Sequence, residues 1–299
     1  MKYGSTFTGV GGFEIGINSV FPNAKCAYYS EFNKFADQTY LKHFKSHAGL
    51  NVGDIERAVF DLQGKKLIVN EYRVKKLFPR VDLFVGGPPC QDLSIANRQK
   101  GKGLAGEKSK LFFAYLEIIK VTKPKYFLME NVFSMSNDNR DKISELLGVE
   151  PVHICVDRFT PQKRNRYYWF NWDFDISKLP VEGFRWPELV AWSSSNDYAP
   201  NGKHLGKRQR ETRDGRANTQ TTGKGCGNYS SQNYIIRPRG KKEILTPTEC
   251  EKLQGLPQNW TAGVSSSQRY KQIGNSVNPD TVREILKQCP LNNQLDLGV

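Results

Sequence analysis

Lys2-Tyr3-Gly4-Ser5-Thr6-Phe7-Thr8-Gly9-Val10-Gly11-Gly12-Phe13-Glu14-Ile15-Gly16-Ile17 reads as strand, glycine turn and helix in immediate succession. A second strand, Cys26–Ser30, ends on an acid, Glu31. Strand, glycine turn, helix and acid-terminated strand form the opening unit of a parallel α/β sheet that takes a nucleotide-type cofactor. The glycines let the backbone approach the ligand, and the acid can bind ribose hydroxyls. The spacing is not the full G-x-G-x-x-G, so a dinucleotide with its pyrophosphate is the weaker choice. S-adenosylmethionine, which carries ribose and adenine but no phosphate, fits as well or better.

Working outward, strands alternate with helical stretches up to about Trp172, the pattern of a mostly parallel sheet covered by helices. Asn51-Val52-Gly53-Asp54-Ile55 ends one short unit, and Val81–Val85 is a buried strand. A helix from about Leu111 to Val121 precedes the strand Tyr126–Met129, which runs out into Glu130-Asn131; Tyr167–Asn171 is a further strand. From Asp173 to Arg237 the chain turns to Trp, Ser, Asn, Gly and basic residues without periodicity. Thr246-Pro247-Thr248-Glu249 is a capping box with proline at the first helical position. That helix stops at Gly255 and Pro257, and a last one starts at Asn278-Pro279-Asp280 and reaches about Gln288. The expected division is 1–172 for a catalytic and cofactor-binding domain, 173–237 for a separate small domain, and 238–299 for a return to the first.

The 299 residues carry 44 Lys and Arg against 30 Asp and Glu, a formal charge of +14, and the sequence pI is near 9.4. This balance favours a polyanionic partner such as nucleic acid. Two clusters localise it: Arg98, Lys100, Lys102, Lys108 and Lys110, and then Lys203, Lys207, Arg208, Arg210, Arg213 and Arg216. Each cluster taken alone suits a solvated loop as well as a phosphate contact. No stretch approaches the roughly 20 apolar residues of a membrane span, and the first residues lack the order of a signal peptide. An intracellular protein without membrane attachment is expected. Six widely spread cysteines without C-x-x-C indicate neither a zinc site nor a disulfide framework. No metal is expected.

Pro88-Pro89-Cys90-Gln91 follows the strand-like Asp82–Gly87. Two prolines fix φ and place the thiol with little freedom, as a nucleophile requires. A structural turn is the plainer reading of that tetrapeptide by itself, because free cysteine is usually packed.

The motifs in order are Phe7-Thr8-Gly9-Val10-Gly11-Gly12, Glu31, Gly53-Asp54-Ile55, Gly87-Pro88-Pro89-Cys90-Gln91 with Ser94, and Glu130-Asn131-Val132. Then come Gln162-Lys163-Arg164-Asn165-Arg166, Leu245-Thr246-Pro247 with Glu249, Leu253-Gln254-Gly255, and Gly274-Asn275-Ser276-Val277. This series closely resembles the cytosine-C5 DNA methyltransferases and covers essentially the whole chain. Asp92-Leu93-Ser94-Ile95, Gly103-Leu104 with Gly106, and Leu111-Phe112-Phe113 are most similar to the animal de novo enzymes. The compact length points to a bacterial or phage setting, in the cytoplasm and at the nucleoid. The implied fold is the Rossmann-like sheet of S-adenosylmethionine-dependent methyltransferases, with 173–237 as target-recognition domain.

The resemblance implies a division of labour. Cys90 would add as thiolate to C6 of cytosine and raise electron density at C5. Glu130 would hydrogen-bond N4 and donate to N3. Asn131 would fix the loop that carries Cys90. Gln162, Arg164 and Arg166 match the family's Gln-x-Arg-x-Arg, whose terminal arginine, Arg166, would contact cytosine O2 and a neighbouring phosphate, with Arg164 counted beside it among the catalytic residues. Phe7, Gly9, Gly11, Gly12, Glu31, Phe32, Asp54, Ile55, Pro88, Asn275 and Val277 would line the S-adenosylmethionine site, which empties as S-adenosylhomocysteine. Asp54 would accept from the adenine amine and Phe32 would stack on the ring, although core packing explains Phe32 equally well. Gln91, Ser94, Arg98, Lys100, Gln162, Arg208, Arg210, Arg213 and Thr221 would contact double-stranded DNA, whose target base must be flipped out.

Leu93 stands where many relatives carry Phe, and Ala114 where Leu-Phe-Phe is often followed by Glu. Neither change removes a reacting group. Two rivals stand beside this reading. A tRNA cytosine-C5 methyltransferase shares the fold, but Glu130-Asn131-Val132-Phe133 lacks that branch's Cys-Phe after Glu-Asn. A catalytically silent DNA-binding homologue would have no use for Cys90, Glu130 and Arg166 together. A dehydrogenase would explain Gly9–Gly12 and leave Cys90 idle. The recognition sequence, a companion restriction enzyme and the oligomeric state are not legible.

Overall fold

Strand β1 (Lys2–Thr6) is buried from its second residue onward, as an interior strand of a parallel sheet must be. The computed structural model describes residues 1–63, 66–89, 110–181, 183–198, 204–212, 215–220, 222 and 233–292, with the backbone alone at 66, 110, 190–198 and 204–212. Two compact units divide the chain: Met1–Ile154 with Asn165–Asp175 and Thr281–Val299, and Cys155–Arg164 with Ile176–Asp280.

In the first unit β1 is followed by α1 (Gly12–Val20), β2 (Lys25–Ser30), α2 (Lys34–His43) and α3 (Ile55–Val59). The hairpin β3 (Phe60–Gln63) and β4 (Lys66–Val69) leads to α4 (Glu71–Leu77) and β5 (Leu83–Gly86). Then come α5 (Lys110–Thr122), β6 (Tyr126–Val132), α6 (Asn137–Leu147) and β7 (Val152–Cys155); β8 (Gln162–Lys163) intervenes before β9 (Asn165–Phe170). The sheet order is β2-β1-β5-β6-β9-β7. Strands β2, β1, β5 and β6 are mutually parallel, whereas β9 runs antiparallel to β6. The chain therefore winds outward in opposite directions from the β1–β5 pair, and ligands bind such sheets beyond the carboxyl ends of the strands at that switch point. The stretch ending at Ile55 contributes only a one-residue bridge, Tyr29 to Asn51.

The core between sheet and helices is aromatic. Phe84 of β5 stacks on Tyr115 of α5 at 4.7 Å, and the Tyr115 hydroxyl donates to the Leu128 carbonyl on β6. Tyr28, Val74, Phe78, Met129 and Trp169 close the same cluster.

The second unit holds β10 (Leu189–Tyr198), β11 (His204–Thr212), β12 (Ala217–Asn218), β13 (Asn233–Ile236) and β14 (Lys242–Ile244), then α7 (Pro247–Gln254) and α8 (Ser266–Asn275). Four of these strands form an antiparallel sheet ordered β11-β10-β13-β14. Two long strands thus occupy a stretch expected to lack periodicity. Ser193, Ser194, Ser195 and Asn196 pair with Arg210, Gln209, Arg208 and Lys207, so consecutive paired positions carry polar residue types and the sequence shows no alternation. Residues 238–280, expected with the catalytic domain, pack within this unit. The capping box of α7 forms as expected, with Thr246 and Glu249 bonded reciprocally and Gly255 closing the helix in the left-handed region. The last helix, α9 (Pro279–Lys287), starts where expected. No helix among the described residues is long and apolar enough to cross a membrane.

Candidate active site

The turn after β1 takes three residues into the left-handed region: Phe7 at φ 55°, Gly9 at 58° and Gly11 at 90°. For Phe7 this is an uncommon conformation, of the kind that collects at ligand-binding turns. Gly11 is the N-cap of α1, and a Cβ there would run into the Phe44 ring. At Gly9 a Cβ would meet nothing within 4 Å. Gly11 is therefore needed for packing, whereas Gly9 faces open space that a ligand can use. Gly12 is buried as the first residue of α1.

Glu31, just past β2, closes this turn. Its Oε2 accepts the Gly9 N–H at 2.8 Å and its Oε1 the Asn33 N–H at 2.7 Å. Burial pushes its carboxyl up, while those two N–H bonds pull it down. A carboxylate offers about four acceptor positions, so capacity remains for ribose hydroxyls. The same contact speaks against a dinucleotide, since an anion already sits on the N–H that a pyrophosphate would need. Asn51 was not anticipated: it accepts from the Glu31 and Gly53 N–H groups and donates to the Glu31 carbonyl and to Asp37. A polar residue ending a strand-like stretch was its only trace in the sequence.

Phe32 is 82% exposed, which removes core packing as its explanation and leaves an aromatic face free. Asp54 caps α3, accepting from the Glu56 and Arg57 N–H groups with Oδ1, and its Oδ2 lies 3.5 Å from the Arg57 guanidinium. The Ile55 side chain packs in the core at the head of α3. Among the described residues no group of three or more His, Cys, Asp or Glu could hold a metal ion.

At the neighbouring strand ends, β6 presents Glu130 and β9 presents Arg166. Val132 pairs with Arg166 and Glu130 with Tyr168, which makes Glu130 and Arg166 diagonal neighbours on one face. The guanidinium Nε lies 2.8 Å from Glu130 Oε1, with side-chain exposures of 11% and 14%. Gly87 leaves room beside this pair, since a Cβ there would come to 3.5 Å from Glu130 Oε2. Asn131 turns to the other face, is buried, and donates from Nδ2 to the Pro88 carbonyl at 3.2 Å. It thereby holds the chain two residues before Cys90. Cys90, Gln91, Ser94, Arg98, Lys100, Arg213 and Thr221 lie outside the described residues. Arg208 and Arg210 are alternate positions of β11, opposite Ser195 and Ser193.

Two expectations need correcting. Gln162 was expected on DNA, but it is fully buried. It donates to the Leu253 carbonyl and Gln254 Oε1 and accepts the Gln220 N–H, so both of its N–H groups are spent inside the fold. Arg164, expected among the catalytic groups, is 3% exposed. It donates to the carbonyls of Gln220, Gly274 and Ser276, so it holds the backbone on both sides of Asn275. Asn275 ends α8, and Val277 is buried just beyond it, both in the second unit.

The sequence profile of C-5 cytosine-specific DNA methylases matches residues 1–148 and 185–290. The chain is 27% identical to the type II methyltransferase M.NlaX of Neisseria lactamica, with 94% of each covered. It is also 27% identical to the type II methyltransferase M.HhaI of Haemophilus parahaemolyticus, over 93% of this chain and 90% of that one. Among solved structures, the Entamoeba histolytica methyltransferase EhMeth superposes with a TM-score of 0.68 at 18% identity, covering 99% of this chain and 98% of its own. S. pombe Dnmt2 methyltransferase gives 0.64 at 15% identity with 99% of each covered. At these identities the structural likeness bears on the fold.

Proposed function

Because this chain belongs to the C-5 cytosine-specific DNA methylase family, we propose that it transfers a methyl group from S-adenosylmethionine to C5 of a flipped-out cytosine in double-stranded DNA. The observation that carries this reading is the Glu130–Arg166 pair at the carboxyl end of β6, beside the turn that leads to Cys90. When bound, S-adenosylmethionine supplies an electrophilic methyl on a sulfonium sulfur. The residues that would hold it are Gly9 and the turn around it, Glu31 with its remaining acceptor positions, and the exposed ring of Phe32.

Cys90 Sγ attacks C6 of the cytosine, and the electrons of the C5–C6 bond become available at C5. Glu130 takes up a proton as the base enters and, in that acid form, donates it at N3 as charge develops there, while Arg166 keeps the carboxyl oriented. Asn131, through Pro88, limits the freedom of the attacking turn. After transfer, a base removes the C5 proton, the thiolate departs from C6 and N3 returns its proton to Glu130, which restores aromaticity and leaves 5-methylcytosine. The net charge of +14 supports DNA as the partner, and a bacterial or phage-infected cytoplasm, with or without a companion restriction enzyme, is the fitting setting.

The test is covalent trapping. Duplex DNA with 5-fluorocytosine at target positions blocks the final elimination, so a denaturation-stable protein–DNA adduct should accumulate in the presence of S-adenosylmethionine. Cys90→Ala should abolish the adduct and retain DNA binding. An adduct that survives in Cys90→Ala would overturn the assignment of the nucleophile.

A further inference from the structure

Glu14 occupies the first turn of α1, directly behind the glycine turn, and is completely buried. Its Oε1 accepts from the Tyr40 hydroxyl at 3.3 Å, and Ser5 faces the same carboxyl from β1. The Tyr40 hydroxyl in turn lies 2.8 Å from Nδ1 of the half-buried His47. Tyr40 itself packs against Gly11, where a Cβ would come to 3.3 Å from its ring. A buried carboxyl is thus wired through one hydroxyl to an imidazole at the surface, beneath the turn proposed to bind the donor.

We propose that Glu14, Tyr40 and His47 form a proton relay that sets the charge beneath the glycine turn, and that ionised Glu14 favours the sulfonium donor over its neutral thioether product. This rests on the reading of that turn as the S-adenosylmethionine site. The proton count closes in either direction. In one state the Glu14 acid donates to the Tyr40 oxygen, the Tyr40 hydroxyl donates to His47 Nδ1, and His47 carries its proton on Nε2. In the other, the Glu14 proton has passed to Tyr40, the Tyr40 proton to Nδ1, and Nε2 has released one proton to solvent. Each bond in the chain reverses, and Glu14 acquires a negative charge without being exposed.

That charge has a use here. The N-terminus of α1 carries a partial positive charge, which disfavours a sulfonium more than a thioether. An anion in the first turn offsets it. The groups facing Glu14 are Tyr3 and Ser5 from β1, Cys26 and Tyr29 from β2, and Tyr40 from α2. Burial pushes the three tyrosines up and the Cys26 thiol to about 12, so they stay neutral near pH 7. Burial holds His47 below its ordinary value, so it too is neutral there. Glu14, raised to about 7 by burial, is the member whose charge changes in that range.

The test is calorimetric titration of the full chain with S-adenosylmethionine and with S-adenosylhomocysteine, at intervals from pH 6 to 8.5. The readout is the ratio of the two dissociation constants in wild type relative to Glu14→Gln, which cancels titration of the ligands themselves. Wild type should gain about three- to tenfold in preference for the sulfonium as pH rises, a size fitting one charge at moderate distance. Tyr40→Phe should move the midpoint to higher pH, because the hydroxyl bond to the carboxylate is lost. Parallel ratios in wild type and Glu14→Gln overturn the inference while leaving the donor site intact. Failure of both ligands to bind overturns the donor site and the inference together. If Glu14→Gln does not fold, as judged by circular dichroism, an unmoved midpoint in Tyr40→Phe overturns the inference.

Discussion

Arg166 reaches diagonally across the β6–β9 pair to Glu130, its Nε 2.8 Å from Oε1, with both side chains largely closed off from water. An ion pair this shielded is held in one geometry, as a group that must act at a single base position requires. Arg166 also donates to the Asn165 carbonyl at 2.7 Å, which restrains the guanidinium from its own strand.

Glu130→Gln should leave Arg166 without its anion and remove the proton donor. We expect methyl transfer to fall at least about 100-fold, on the scale of general acid–base catalysis. Urea unfolding should show a loss of about 1–3 kcal/mol, the size of a charge-assisted bond in a shielded site. Unimpaired transfer by this variant would remove Glu130 from the chemistry.

The two glycines of the turn separate ligand binding from folding. Gly9→Ala places a methyl group in open space but at φ 58°. It should cost about 1–2 kcal/mol for the left-handed backbone and sharply weaken S-adenosylmethionine binding. Gly11→Ala meets the Phe44 ring and should lower the thermal midpoint much further. Equal stability losses, with cofactor affinity unchanged in Gly9→Ala, would contradict the distinction.

Arg164 and Gln162 should behave as structural residues. Arg164→Ala takes a donor from the Gln220 and Gly274 carbonyls, while the Ser276 carbonyl keeps the Gln254 amide, at about 1–3 kcal/mol for each carbonyl that stays unsatisfied. Arg164→Lys, with a single point charge in place of the fork, should recover part of that loss in denaturant titrations. A variant as stable as wild type but inactive would return Arg164 to the catalytic group.

These two residues also mark where sequence reading stopped. The glycine turn, the acid after β2 and the capping box of α7 are demands of the local backbone, so they can be read from neighbouring residues. The partners of Gln162 and Arg164 lie at Leu253, Gly274 and Ser276, far along the chain, and polar residues without visible partners read as solvent-facing. The β10–β11 ribbon was hidden for another reason: its pairing is main-chain, and successive Ser, Arg, Gln and Asn residues leave no hydrophobic period in the sequence. Phe32, ambiguous between core and ligand contact, is exposed, which speaks against the core reading.

Glu14 gives the fold its own pH dependence. Its folded value, raised to about 7 from a model-peptide 4.5, means that the native state binds the extra proton between those limits. Stability should therefore fall as pH rises from about 4.5 to 7, by about 3 kcal/mol in total for that group. Glu14→Gln should flatten this part of the profile in urea titrations at pH 5, 6 and 7. A wild-type profile that tracks the variant would place Glu14 at an ordinary value.

Nucleoside mass spectrometry bears most directly on the proposed reaction. The protein is incubated with S-adenosylmethionine and, in separate tubes, duplex DNA of mixed sequence and tRNA, and the products are digested to nucleosides. 5-Methyldeoxycytidine from the DNA, and no methylcytidine from the tRNA, is the predicted result. Methylcytidine from tRNA alone, or no methylated product from either despite bound cofactor and DNA, would contradict it.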